Sequence, residues 1–201
     1  MYKFNDVADR AILRPVARGY DAVLPSAAKI GVRNFFANLR EPLNTLHNLL
    51  QGKPGRALTS VARFGVNSTI GVLGFVDVAQ TAGVEPARED LGQTLAVWGV
   101  APGPYVMLPL LGPSNLRDTF GALGDSAYYP NGEITASSGG RIALSTLDVI
   151  SARSSLLGAD SILTSQLDPY TFLKSSYEQS RVNDIYDGKP PVSDEQIESD
   201  F

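Results

Sequence analysis

Few side chains in this sequence have the type and spacing needed for covalent chemistry. His47 is the single histidine and cysteine is absent, which removes disulfides, thiolate nucleophiles and thiolate metal sites together. No serine sits in a Gly-x-Ser-x-Gly elbow, and without a second histidine neither a serine triad nor a histidine zinc site can be completed. Gly71 and Gly74 lack the lysine and the spacing of a phosphate loop. Glu89 and Asp90 are neighbouring acids of the kind that more often charge a helix N-terminus than form an acid–base dyad. His47 shares a helical face with Leu43, Leu46 and Leu50, the setting of a packed, hydrogen-bonded histidine. These residues point away from an enzyme and call for no cofactor and no metal.

The patterned residues suggest surfaces instead. Within Ser26 to Arg40, the residues Ala28, Val32, Phe35, Phe36 and Leu39 fall in an arc of about 100° on a helix. Lys29, Arg33 and Arg40 run along one border of that arc. Aromatic residues bordered by cations describe a helix lying in a membrane interface, with its cations reaching for phosphates. Lys29, Val32, Arg33, Phe35, Phe36, Leu39 and Arg40 are therefore the candidate membrane-interface set. The same pattern also fits a core helix with a solvated rim.

A second surface lies between Leu91 and Leu116, 26 residues without a charged side chain. About 20 apolar residues suffice to span a bilayer, but Pro102, Pro104, Pro109 and Pro113 forbid a single spanning helix. The expectation is a helix from Asp90 to Trp98 followed by an apolar hairpin broken by proline and glycine. Gly103, Tyr105, Val106, Met107, Leu108, Leu110, Leu111 and Gly112 form this candidate lipid-passage hairpin, which lines or plugs a cavity. A loop covering a soluble core is the competing reading.

The elements that position these surfaces read as helices. Phe4 to Arg14 carries apolar residues at helical spacing, and Pro15, Pro25 and Pro42 each fit the opening of a new helix. Gly52, Lys53 and Pro54 end one helix at Gln51 and open another to about Asn67. Asn115 to Tyr128 has Leu116, Phe120, Leu123 and Ala127 on one stripe, with Gly121 and Gly124 permitting close helix approach. Arg141 to Leu157 forms a long amphipathic pattern, and Asp168 caps a helix opened by Pro169 that runs to about Tyr186. From residue 187 the chain turns acidic and proline-containing, the composition of a disordered tail. The expected organisation is thus one helical domain over residues 1–186 and a tail over 187–201, with no internal repeat and no strand-rich region.

Composition sets the frame. The chain has 201 residues, 43% of them hydrophobic and only 19% charged, below the usual quarter or so for a soluble domain. Residues 1–64 hold ten Lys and Arg against four Asp and Glu, while residues 65–201 hold seven against seventeen. Such asymmetry suits ends that face different partners, a basic one suiting anionic headgroups or nucleic acid, or two regions that pair with each other. Lys3, Asp6, Asp9 and Arg10 interrupt any apolar stretch near the start, so no signal peptide is visible. Met1 is expected to stand where a targeting segment has been removed.

Several blocks, in order, carry a family resemblance: FND at Phe4, LRPVARGY at Leu13, GVRNFFANLREP at Gly31, NLLQGK at Asn48 and RFGVNSTIGVLGFVDVA at Arg63. The long block EDLGQTLAVWGVAPGPYVMLPLLGPSNLRD from Glu89, then DPY at Asp168 and YEQSR at Tyr177, complete the set. The chain resembles the MlaA/VacJ family of Gram-negative outer-membrane lipoproteins over nearly its whole length. The resemblance implies an all-α, ring-like single domain embedded in the inner leaflet of the outer membrane. It implies a passive phospholipid channel, working with a trimeric outer-membrane porin and a periplasmic lipid carrier and without nucleic acid. The family's lipid-modified anchor cysteine and signal are not present in this chain. A lipid-modifying enzyme and a soluble helical adapter are the alternative classes.

Overall fold

A computed structural model describes residues 1–128, 135 and 137–191. Helix α1 (Tyr2–Ala8) passes through a π turn at Asp9–Leu13 directly into α2 (Arg14–Val23). Pro15 was expected to start a fresh helix. Instead the wider π turn just before it accommodates the missing N–H, and the rod continues. α3 (Ser26–Leu50) starts immediately after Pro25 as expected, but it also runs through Pro42 without a break. The Thr45 hydroxyl donates to the Glu41 carbonyl at 2.9 Å one residue before the proline.

α4 (Pro54–Thr69) returns antiparallel against α3. A tight turn over residues 70–76 follows, in which Val72 and Leu73 adopt φ of 52° and 58°, an unfavourable conformation for branched side chains. Gly74, also left-handed at φ 90°, lies so close to Asn38 that a β-carbon would come within 2.6 Å of it. Short α5 (Val78–Thr81) and α6 (Leu91–Val97) come next, capped by Asp77 and Asp90 through the N–H groups of Gln80 and Gln93.

The broken apolar segment is a two-stranded antiparallel ribbon, β1 (Tyr105–Leu108) against β2 (Gly112–Asn115). Strands were not expected there. Tyr, Val and Met suit a pleated ribbon, and a ribbon of only two strands leaves an outward edge for Pro113, which has no N–H to give. α7 (Leu116–Tyr128), α8 (Ser138–Ser155), α9 (Asp160–Thr164) and α10 (Pro169–Ile185) complete the chain. Asp168 caps α10 by accepting from the N–H groups of Tyr170 and Thr171, as its sequence demands. Among the described residues no helix is long and apolar enough to cross a membrane. Of the expected tail, Asp187 joins the fold by pairing with Lys53 and Arg56, and residues 192–201 lie outside the described residues.

The helices are inside out by the standard of a soluble domain. Along α4 the buried stripe is Ala57, Ser60, Arg63 and Asn67, while Leu58, Val61 and Phe64 face outward. Along α3 the buried stripe includes Asn38, Glu41, Asn44, His47 and Asn48. On α7, Arg117, Asp118 and Gly121 are buried, whereas Leu116, Phe120 and Leu123 are exposed. Burying charges while exposing large apolar side chains reverses the usual order.

Candidate functional site

The inward polar stripes surround two adjoining cavities of about 900 and 870 Å³. The first lies among α3, α7, α8 and α10, and the second extends along α3 and α8 towards the turn before α5. They share Arg40, Asn44, Glu89, Asp90, Asp148 and Arg181 in their walls, so the two cavities meet at a charged waist.

Buried charges survive only when paired and hydrogen-bonded, and three clusters meet that condition here. Arg181 on α10 reaches both oxygens of Asp90 at 2.6 Å and both of Asp118 at 2.8 and 3.0 Å. Tyr177 donates to Asp118 at 2.5 Å, and Asn115 and Arg117 complete its shell. Burial pushes the Asp118 carboxyl up, but Arg181, Tyr177 and Arg117 outweigh it and hold the group below the usual carboxylate range. Asp90 is lowered in the same way, burial being overcome by Arg181 and the Gln93 N–H. Burial, and then the Asp118 carboxylate, push the Tyr177 phenol up.

The second cluster ties α3, α4 and the start of α5 together. Arg63 bridges Glu41 at 2.8 Å and Asp77 at 2.7 Å and also donates to the Val84 carbonyl. The Asn67 side-chain amide donates to Asp77 through its nitrogen, and its Oδ1 accepts from the Ala79 N–H. The third holds Glu89, its side chain wholly buried, among Gln51, Lys53 and Arg56. Burial raises the Glu89 carboxyl, while Gln51 and Lys53 oppose the rise.

His47 is nearly inaccessible, with Nδ1 3.0 Å from the Thr94 hydroxyl and Nε2 2.8 Å from Asp125. It is a packed, hydrogen-bonded histidine, but on a polar face rather than the apolar one expected from Leu43, Leu46 and Leu50. Among the described residues no group of His, Asp and Glu could hold a metal ion.

The candidate interface residues divide between environments. Phe36 is 1% exposed and meets Phe35 edge-on, so its ring faces protein. Phe35 is half-buried and stacks on Phe75 at 5.1 Å. Arg33 and Arg40 line the second cavity, Lys29 pairs with Asp21, and Val32 and Leu39 are half-buried. The aromatic arc therefore packs on the turn at residues 70–76, and the exposed apolar positions of α3 are Ile30, Leu46, Leu49 and Leu50 instead.

The hairpin also sits elsewhere than expected. None of residues 103–112 lines either cavity, although Ser114 at the foot of β2 lines the first. Asn5 clamps the hairpin tip, donating to Leu108 O at 2.7 Å and accepting from Leu110 N at 2.9 Å. Tyr105 packs edge-on against Tyr170 and Tyr177. Gly103, Val106, Met107 and Gly112 belong to the ribbon and its approach, and Leu110 and Leu111 turn outward, 61% and 78% exposed. Sequence reasoning did not single out Arg63, Asp118, Asp148 or Arg181. The available signal was the recurrence of polar residues every three or four positions opposite the apolar stripe.

Comparison with known proteins agrees with this architecture. The family model described as MlaA lipoprotein matches residues 1–184. The intermembrane phospholipid transport system lipoprotein MlaA of Escherichia coli is 37% identical over 183 residues, covering 89% of this chain and 72% of the relative. Its namesake in Haemophilus influenzae is 33% identical over 209 residues, covering all of this chain and 82% of that one. A solved structure from work on the structural basis for maintenance of bacterial outer membrane lipid asymmetry superposes with a TM-score of 0.79 at 34% identity. The match covers 92% of this chain and 94% of that one. Sequence and fold agree, and the chain belongs to the MlaA lipoprotein family.

Proposed function

We propose that this protein is a phospholipid transporter that helps maintain outer-membrane lipid asymmetry, moving phospholipid headgroups through its charged passage. The observation that carries the reading is the inverted distribution of side chains: ion-paired residues line the interior, and large apolar residues cover the exterior. A headgroup drawn into hydrocarbon loses hydrogen bonds at several kcal/mol per group, and a polar passage restores them. The names of the relatives and the subject of the matching structure support the same function. The protein sits in the periplasmic leaflet of the outer membrane, beside a trimeric porin, and passes lipid to a periplasmic carrier. Movement is passive, with its direction set by whatever receives the lipid. The test is transfer of labelled phospholipid between liposome populations: transfer above a protein-free sample is expected, and none would refute the reading.

The embedding of the outer face has its own test. Leu58 is 68% exposed and Val61 shares its face of α4, a surface that lipid would cover. The double variant Leu58→Asp/Val61→Asp is expected to fold but to partition out of liposomes at least tenfold more readily than the parent. Unchanged partitioning would remove α4 from the membrane surface.

The protein is not an enzyme in this reading, and His47 provides the check. His47→Gln keeps a group able to reach Thr94 or Asp125 while removing the imidazole. Loss of one hydrogen bond, at most the one to a carboxylate, costs about 1.5–3 kcal/mol, too little to unfold most domains. The variant is expected to restore lipid asymmetry nearly as well as the parent at matched abundance, read as detergent sensitivity of cells. Loss of complementation at equal abundance would favour catalysis by His47.

A further inference from the structure

Two ion pairs meet at the waist between the cavities, and they differ in kind. The Arg181 pairings with Asp90 and Asp118 use all three guanidinium nitrogens, and the Arg181 side chain is 13% exposed. Such a node is fixed, since removing the guanidinium would leave two carboxylates unsatisfied. Across from it, Arg40 on α3 meets Asp148 on α8 through Nη2 at 2.5 Å, with the Arg40 side chain still 48% exposed. This pair joins two helices that are 108 residues apart in sequence, and both residues line both cavities. The Asp148 side chain is 19% exposed while about half of Arg40 stays open, so a competing anion can reach the guanidinium from the cavity side and displace the carboxylate. Beyond the waist on one side stands Arg141, and on the other Arg33, neither ion-paired among the described residues.

We propose that the Arg40–Asp148 pair is a gate across the passage, opened when the phosphodiester of a lipid headgroup replaces Asp148 on Arg40. The proposal rests on the transport reading above. A guanidinium matches a phosphate with two parallel hydrogen bonds, so the exchange leaves no charge stranded on Arg40. Asp148, no longer bonded to Arg40, faces the same headgroup and can accept from its ammonium where the lipid carries one. Arg141 and Arg33 place guanidinium groups before and after the gate, so the phosphate moves between cationic positions.

The experiment uses phosphatidylcholine liposomes containing a trace of fluorescent phosphatidylethanolamine, with fluorescent diacylglycerol as the lipid that lacks a phosphate. Asp148→Asn is expected to raise phosphatidylethanolamine transfer at least threefold. Arg40→Gln is expected to abolish the preference for phosphatidylethanolamine over diacylglycerol. In the cysteine-free background, Arg40→Cys/Asp148→Cys joined by a short, cleavable thiol-to-thiol cross-linker is expected to lower transfer at least tenfold and to recover on cleavage. That comparison within one sample holds even if a single variant folds poorly. Wild-type transfer that neither the complete cross-link nor Asp148→Asn alters would overturn the gate and leave the transport reading standing. A wild-type protein that transfers nothing would overturn both.

Discussion

Replacing Arg63 with methionine is expected to cost about 3–5 kcal/mol, the usual penalty for leaving buried carboxylates without their cation. Arg63 and Glu41 are almost wholly buried, and Arg63 also holds Asp77 and the Val84 carbonyl. One substitution therefore releases α3, α4 and the cap of α5 together. A loss of this size is a large fraction of the 5–15 kcal/mol that holds a typical domain together. Arg63→Lys retains the charge but not the fork that spans two carboxylates, and should fall between. The acid response supplies a second signature. Burial pushes Asp77 up, but the Gln80 N–H, Arg63 and Asn67 outweigh it and hold its carboxyl below 3.8 in the folded protein. Its stabilising contribution is therefore complete above the ordinary carboxylate value and is lost as pH falls below 3.8 through the lowered one. Without Arg63 that depression shrinks, so denaturation midpoints in detergent should decline less steeply with acid in Arg63→Met than in the parent. A variant as stable as the parent at neutral pH would show that the cluster is not what joins these helices.

Gly121→Ala is the second large effect. A β-carbon on Gly121 would lie 2.5 Å from the Gly92 nitrogen and 2.8 Å from its α-carbon. Both obstructing atoms are backbone, so no rotamer relieves the clash, and α6 and α7 must separate. The expected cost is about 3 kcal/mol, the upper part of the range for overpacked contacts. The same crossing presents Asp90 and Asp118 to Arg181, so separation also loosens the fixed side of the waist. Gly19→Ala is the control: nothing lies within 4 Å of a β-carbon there. In helix α2 that change should leave stability unchanged or raise it by about 1 kcal/mol. Denaturation of both variants in the same micelles would separate crowding from the general effect of removing a glycine, and equal midpoints would refute the close crossing.

Helix positions were largely legible because proline, capping acids and periodicity act locally. Pro54, Asp90 and Asp168 mark starts that the structure places at the same residues or one further along. Gly121 also signals a close crossing by its type alone. Pro15 and Pro42 mislead because the helical rods run on through both, at Pro15 after a π turn, and whether a helix continues past a proline is not encoded in the proline itself. The direction of each helical face was harder to read. A stripe such as Leu116, Phe120 and Leu123 predicts one buried face, but periodicity cannot say whether protein or lipid buries it. The Phe35–Phe36 pair went to the protein side because Phe75, forty residues away, stacks on it. The polar waist between the cavities depends on pairings such as Arg40 with Asp148 and Arg181 with Asp90, which only the folded chain brings together.

Two neighbouring residues offer the sharpest test of transport through the interior. Ala122 lines the first cavity, whereas Leu123, the next residue of α7, is 62% exposed on the apolar exterior. In this cysteine-free chain, Ala122→Cys and Leu123→Cys can each be modified with the same bulky thiol reagent, and phospholipid transfer between liposomes measured before and after. Modification at position 122 is expected to reduce transfer at least tenfold, and complete modification at position 123 to leave it within twofold of the unmodified protein. Undiminished transfer with position 122 fully modified would mean that phospholipid does not travel through the charged passage.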